Sequence, residues 1–192
     1  MTTVTNHDVL TLFRRATAEF ATRAHSIGDR WSAPTPCTGW DVRALVHHVV
    51  EEQLWAPPLY AGSTIAEVGD RFAGDLLGSE PIATLDEAGP AALAAAEAPG
   101  ALERTVHLSF GDVPGAEYAM QLVADHLVHA WDLARALGVD DTLDPDAVHA
   151  VLEWFGPTED AWRAAGVIGP RVPVPDGADE QTRLLSMFGR AT

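Results

Sequence analysis

Within eight positions the sequence places Asp125, His126, His129 and Asp132. Asp125 and His129 are four apart, and four helical positions turn about 40° beyond one full turn. A carboxylate and an imidazole so placed leave the same helical face one turn apart and can reach one metal ion. A third donor must come from another part of the chain. His48, in a second apolar-periodic stretch, is the candidate, which gives the set His48, Asp125 and His129. Three protein ligands leave positions open for water or substrate, as a reactive site requires. Imidazole and carboxylate donors suit a divalent metal, Zn²⁺ first, with Ni²⁺, Fe²⁺ and Mn²⁺ as alternatives. Acid–histidine pairs at this spacing also form ordinary helix contacts. The residues alone therefore leave a hydrogen-bonded or solvated histidine open.

The other reactive side chains read more plainly. His126 points about 100° away from Asp125 and is expected to be structural. Glu52 lies four after His48 and is a reserve ligand. His149 and Glu153 share that spacing and read as a surface contact. His7, His25 and His107 have no partner at ligand spacing on their own elements. Cys37 precedes a helix, a setting that can activate a thiol, but a lone cysteine reads first as a packing residue. Trp40, Trp55 and Trp131 flank the candidate ligands and suit either a core or a pocket wall. No Gly-rich phosphate loop, GxSxG elbow or CxxC pair is present.

The elements that must position these groups are helical. Apolar residues recur at helical spacing over 6–27, with Asn6 or Asp8 as cap and Gly28 as stop. Residues 32–40, SAPTPCTGW, form a structured loop. Residues 41–56 form a second helix ended by Pro57–Pro58, in which Val42, Leu45, Val46 and Val49 make the core stripe, His48 flanks it and His47 faces water. Residues 57–83 are mixed, with a short helix around Ile65–Phe72. A third helix spans 84–98, with a break at Gly89–Pro90 a candidate. An extended segment or small hairpin follows, with GDVPG at 111–115 as its turn signal. The long helix is 117–137, apolar on two sides and therefore inside a bundle. Asp144–Pro145 opens a helix over 145–155, residues 156–179 read as a surface loop, and a short helix over 180–188 closes the chain. One domain, 1–192, is the expectation.

The net charge is −16, and all 12 basic residues are arginines. Nucleic acid and anionic membranes should repel such a chain. No apolar run is long enough to span a membrane. With no signal-peptide pattern and a single cysteine, Cys37, a reducing cytoplasm is expected.

Three stretches in order, PTPCTGWDVRALVHHVV, ADHLVHAWDLARALG and VPVPDGADEQTRLLSMFGR, resemble a known family. They are similar to DinB-like proteins, and more narrowly to the N-terminal domain of mycothiol-dependent maleylpyruvate isomerase and its stand-alone actinobacterial relatives. The resemblance implies an all-α, DinB-like four-helix bundle with a long crossover and a divalent metal near one end. The family's three metal-binding positions correspond to His48, Asp125 and His129. The resemblance also implies a low-molecular-weight thiol, such as mycothiol or bacillithiol, and a small electrophile as partners. Asp125 stands where the isomerase has a glutamate and many DinB-like proteins a histidine. The isomerase carries a further C-terminal domain, whereas 54 residues follow Gly138 here. Maleylpyruvate itself is therefore not the expected substrate. The expectation is a thiol-dependent transferase or isomerase; the alternative is a non-catalytic metal- or small-molecule-binding bundle, stress-linked or a structural homodimer.

Overall fold

The computed structural model describes residues 6–192. The side chains of Asn6 and His7 lie outside the described set, so the Asn6 cap and His7 are not placed. Four long helices make an all-α core: α1 (Asn6–Ala24), α2 (Val42–Tyr60), α4 (Pro81–Glu97) and α5 (Gly115–Leu137). Helix α1 packs on α5 and α4, and α2 packs on α4 and α5, so α1 and α2 face each other across the diagonal. Thr17 meets His126, and Arg30 beyond α1 reaches Leu137 at the end of α5, so α1 and α5 run parallel. His48 meets Asp125 while Tyr60 meets Gly115, so α2 runs against α5. His25 near the end of α1 meets Asp86 near the start of α4, so these two are antiparallel. The order is up-down-down-up. Helices α2 and α4 are thus parallel, and residues 61–80, with the short α3 (Ile65–Val68), form the long crossover between them.

One polar layer ties the four helices at a single level. His126 is fully buried, its Nδ1 3.2 Å from Thr17 Oγ1 on α1 and its Nε2 3.4 Å from Gln53 Nε2 on α2. Gln53 can only donate through that nitrogen, so a neutral His126 carries its proton on Nδ1 and gives it to Thr17. Gly89 on α4 faces the same pair. A Cβ there would come 3.0 Å from Thr17 Cγ2 and 3.5 Å from Gln53 Nε2. Helix α4 runs unbroken through Gly89–Pro90, and the close approach is why a glycine stands at 89.

Several boundaries differ from expectation. Asp8 lies within the first turn of α1 rather than capping it. Helix α2 runs through Pro57 and Pro58 to Tyr60. The two prolines remove two backbone donors, but burial of Leu59 and Tyr60 and the Tyr60 hydroxyl bond to the Gly115 carbonyl (3.0 Å) hold the last turn. The GDVPG segment is not the turn. Strands β1 (Thr105–Leu108) and β2 (Gly111–Pro114) pair antiparallel with Leu108 opposite Gly111, so the turn is Ser109–Phe110. Pairing of buried Val106 with Val113 sets that register. The surface loop over 156–179 contains a further helix, α7 (Glu159–Ala164). It is pinned by the Glu159–Arg163 ion pair and by Trp162 packed on Phe155.

Helix α6 (Pro145–Phe155) starts at Asp144, whose carboxylate accepts from the amides of Asp146 and Ala147. Helix α8 (Glu180–Met187) is capped likewise by Asp179. Helices α6 and α8 pack on each other, and α6 also lies against α5. The C-terminal segment thereby comes to rest beside the upper half of α5.

Candidate functional site

Helix α2 is fixed at its start by Asp41, whose carboxylate accepts from the Ala44 amide at 2.8 Å. Two turns on, half-buried His48 points at α5. Its Nε2 lies 3.0 Å from Asp125 Oδ1. His129, one turn along α5, places its Nε2 3.4 Å from the same oxygen. The donor atoms of His48, Asp125 and His129 all lie within 4.8 Å of one another. Atoms bound to one tetrahedral Zn²⁺ at 2.0–2.1 Å sit about 3.4 Å apart. The structure thus brings together all three residues singled out by spacing. Asp125 Oδ2 is buried with no protein partner. A carboxylate oxygen in that state needs an outside partner.

The second nitrogen of His129 is committed elsewhere. Its Nδ1 lies 2.9 Å from Asp132 Oδ2. Asp132 is fully buried and also accepts from Arg190 at 2.8 and 3.2 Å. A carboxylate that takes the Nδ1 proton orients the ring with Nε2 towards Asp125, where a bound ion would replace the Nε2 proton. The Cys37 thiol donates to Asp132 Oδ2 at 3.1 Å and accepts from Arg190 at 3.2 Å. Cys37, His129 and Asp132 form a second group of donors close enough for one ion. There, however, the Asp132 oxygens are already bonded to Arg190 and His129, whereas Asp125 keeps an oxygen free. Cys37 is therefore more than a packing residue, since it is part of the network that holds His129.

The charges reinforce one another. Burial pushes the Asp125 carboxyl up, but the imidazoles of His129 and His48 prevail and hold it well below the usual carboxylate range. Burial pulls His129 down, but Asp125, Asp132 and Cys37 prevail and hold it well above the usual imidazole value. His48 is raised in the same way, against burial, chiefly by Asp125. Glu52 is absent from both donor groups. It lines the same space, and burial, reinforced by Asp125, pushes its carboxyl up to about 7.

These residues lie at the floor of a cavity of about 700 Å³. Trp40 forms one side, its ring 5.0 Å from that of His48 and 5.8 Å from that of His129. The other two flanking tryptophans do not reach it: Trp131 is in the core, and Trp55 packs on Phe72 of the crossover. The lining also takes in residues that spacing did not single out: Tyr118, Trp154, Trp162, Phe188 and Arg190. The i,i+3 interval from His129 was a legible signal for Asp132. Nothing local marks Arg190, which arrives from 58 residues further along the chain.

The other described histidines, His25, His47, His107, His126 and His149, lie outside the cavity lining. His126 is structural, as expected. His149 pairs with Glu180 of α8 at 3.1 Å rather than with Glu153. This follows from the packing of α6 against α8. His25 meets Asp86, and His107 meets Asp112 across the hairpin. His47 contacts the Gly74 carbonyl at 2.8 Å instead of facing open water. Among the described residues no helix is long and apolar enough to cross a membrane.

Comparison with known proteins places this geometry. Residues 13–134 match the family described as the mycothiol maleylpyruvate isomerase N-terminal domain. The matched span holds His48, Asp125, His129 and Asp132, and ends before α6. Two uncharacterised proteins of Mycobacterium tuberculosis, MT0763 of strain CDC 1551 and Rv0738 of strain H37Rv, are each 35% identical over 149 residues, which is 72% of this chain and 72% of theirs. No solved structure matches the chain. On the span of that match and on these relatives, the chain belongs to the mycothiol maleylpyruvate isomerase N-terminal domain family.

Proposed function

We propose that the protein is a divalent-metal-binding, thiol-dependent transferase or isomerase that acts on a small electrophile. The observation that supports it most is the convergence of His48 Nε2, Asp125 and His129 Nε2 at a cavity floor, where Asp125 Oδ2 has no protein partner. Two imidazole nitrogens and one carboxylate are a donor set suited to Zn²⁺. In this reading His48, Asp125 and His129 hold the ion, and Asp132 keeps His129 in the ligating tautomer. A cation bound there favours the thiolate of a low-molecular-weight cosubstrate such as mycothiol over its thiol.

The chain's own residues supply the rest. Glu52, whose carboxylate lines the same space, is the group placed to take the thiol proton and return it to the product. The aromatic residues of the lining offer the electrophile an apolar surface to bind against. In a transferase the new carbon–sulfur bond stays. In an isomerase it forms and breaks again, and the thiol is returned. A reducing cytoplasm fits both the thiol cosubstrate and the unpaired Cys37.

The test is elemental analysis of protein purified without chelator, followed by mass spectrometry of mycothiol incubated with the protein and an electrophile. The expected result is about one metal ion per chain, lost in His48→Ala and His129→Ala, with a thiol adduct or isomerised product that depends on the metal. Metal-free wild-type protein whose melting midpoint ignores chelator overturns the metal reading. Full metal occupancy without turnover overturns the catalytic one and leaves a binding protein.

A further inference from the structure

An aromatic wall of the cavity is built largely from residues outside the family-matched span of 13–134. Trp154 stands on α6, Trp162 on α7, and Phe188 just after α8. Their rings form one cluster: Trp154 to Trp162 is 6.3 Å, Phe155 to Trp162 is 6.0 Å and Phe155 to Phe188 is 4.5 Å. The hairpin tip adds Phe110, 5.7 Å from Trp162. The Trp154 indole donates to Glu117 at 2.9 Å, so the ring is held in place rather than free to collapse into the space.

Two observations point to a ligand on this wall. Phe110 is 60% exposed and Val167 55%, and both line the cavity. Exposed apolar side chains gathered at a cavity mouth mark a binding surface. The second observation is charge. The one arginine on the cavity wall, Arg190, is bonded to both oxygens of Asp132, to Cys37 and to the Phe188 carbonyl. Apart from it and the two candidate ligand histidines, no cationic side chain among the described residues lines the space, while Glu52 adds a carboxyl. A dicarboxylate would find no free cation on this wall.

We propose that the cavity takes an uncharged, flat, aromatic electrophile, held by face and edge contacts among Trp162, Trp154 and Phe110. This wall, rather than the candidate metal ligands, then sets specificity. The inference rests on the thiol-transfer reading for the word electrophile, but binding does not depend on it.

The experiment uses the full chain, metal-loaded and without thiol, titrated calorimetrically with three probes. These are 1-chloro-2,4-dinitrobenzene, its anionic analogue 4-chloro-3-nitrobenzoate, and the non-aromatic ethyl acrylate. The neutral aromatic should bind about tenfold tighter than either of the others. Trp162→Leu should weaken it about tenfold with metal content unchanged. Phe110→Ala, at an exposed turn where folding is not at risk, should weaken it several-fold. Equal or tighter binding of the benzoate, or aromatic affinity unchanged within twofold in both variants, overturns the proposal. Aromatic binding without thiol transfer keeps this inference and removes the catalytic one. Thiol transfer without aromatic preference does the reverse.

Discussion

Asp132→Asn is the perturbation that most directly tests how the candidate site is held. Asp132 accepts from His129 Nδ1 at 2.9 Å, from Arg190 at 2.8 Å and from the Cys37 thiol at 3.1 Å, all in a fully buried position. Asparagine keeps the volume but replaces one acceptor oxygen by a donor amide. If the amide nitrogen faces His129, its N–H bonds to Nδ1 and the imidazole proton moves to Nε2. The nitrogen that faces Asp125 then has no lone pair for an ion. Loss of such a supporting carboxylate costs about 10–100-fold in metal affinity, or about 1.4–2.7 kcal/mol. The assay is competition for Zn²⁺ against a chromophoric chelator at fixed pH. Melting of the metal-free protein shows first that the variant is folded. Because Arg190 loses its counter-charge, the double variant Asp132→Asn/Arg190→Gln is measured beside it. Affinity within twofold of wild type in a folded variant refutes the tautomer argument. Loss as complete as in His129→Ala refutes it in another way, since Asp132 would then itself be a ligand in the group with Cys37.

Two further outcomes follow from the bundle. Burial lowers His126 to about 4, against an ordinary value of 6.5. The unfolded state therefore binds a proton that the folded state refuses. The stability His126 contributes is fully present above pH 6.5 and lost as pH falls towards 4, by about 3 kcal/mol. Unfolding free energies from urea titrations of metal-free wild type and His126→Gln should diverge by that amount between pH 7 and pH 4, and parallel curves would contradict it. At the start of α5, a Cβ on Gly115 would lie 2.0 Å from the Ala101 carbonyl oxygen. Gly115→Ala should cost about 3 kcal/mol, the upper end for overpacking, read as a fall in thermal midpoint; an unchanged midpoint would contradict it.

The proximity of the three candidate donors was legible in the chain because it follows from helix geometry. Asp125 and His129 share a face whatever they pack against, and His48 borders the core stripe of its own helix. The same arithmetic separated His126 from them. What the sequence hid depends on tertiary contact. Pro57–Pro58 reads as a stop, yet the helix continues because Leu59 and Tyr60 gain burial that a local pattern cannot express. Gly89–Pro90 reads as a break, yet it marks the point where α4 approaches α1 and α2. The turn was placed on GDVPG because its glycine and proline are strong local signals, whereas pairing of Val106 with Val113 decides the register. The aromatic wall stayed hidden because Trp154, Trp162 and Phe188 lie on separate elements with no shared period.

The layer formed by Thr17, Gln53, Gly89 and His126 bears on the precision of the site below it. Apolar helix faces can re-form a similar packing in another register, since one leucine can take the place of the next, but hydrogen-bond partners cannot be exchanged in that way. A slip of one turn, about 5.4 Å, would carry His126 away from both of its partners and strand two ring nitrogens in hydrocarbon. The helices are therefore keyed axially, like the teeth of a ratchet with one stop. His48 belongs to one helix and Asp125 and His129 to another, so that stop fixes the height at which they meet. Ion coordination tolerates errors of about 0.2 Å. A buried histidine that binds nothing itself thus supplies the alignment that three other residues need to converge.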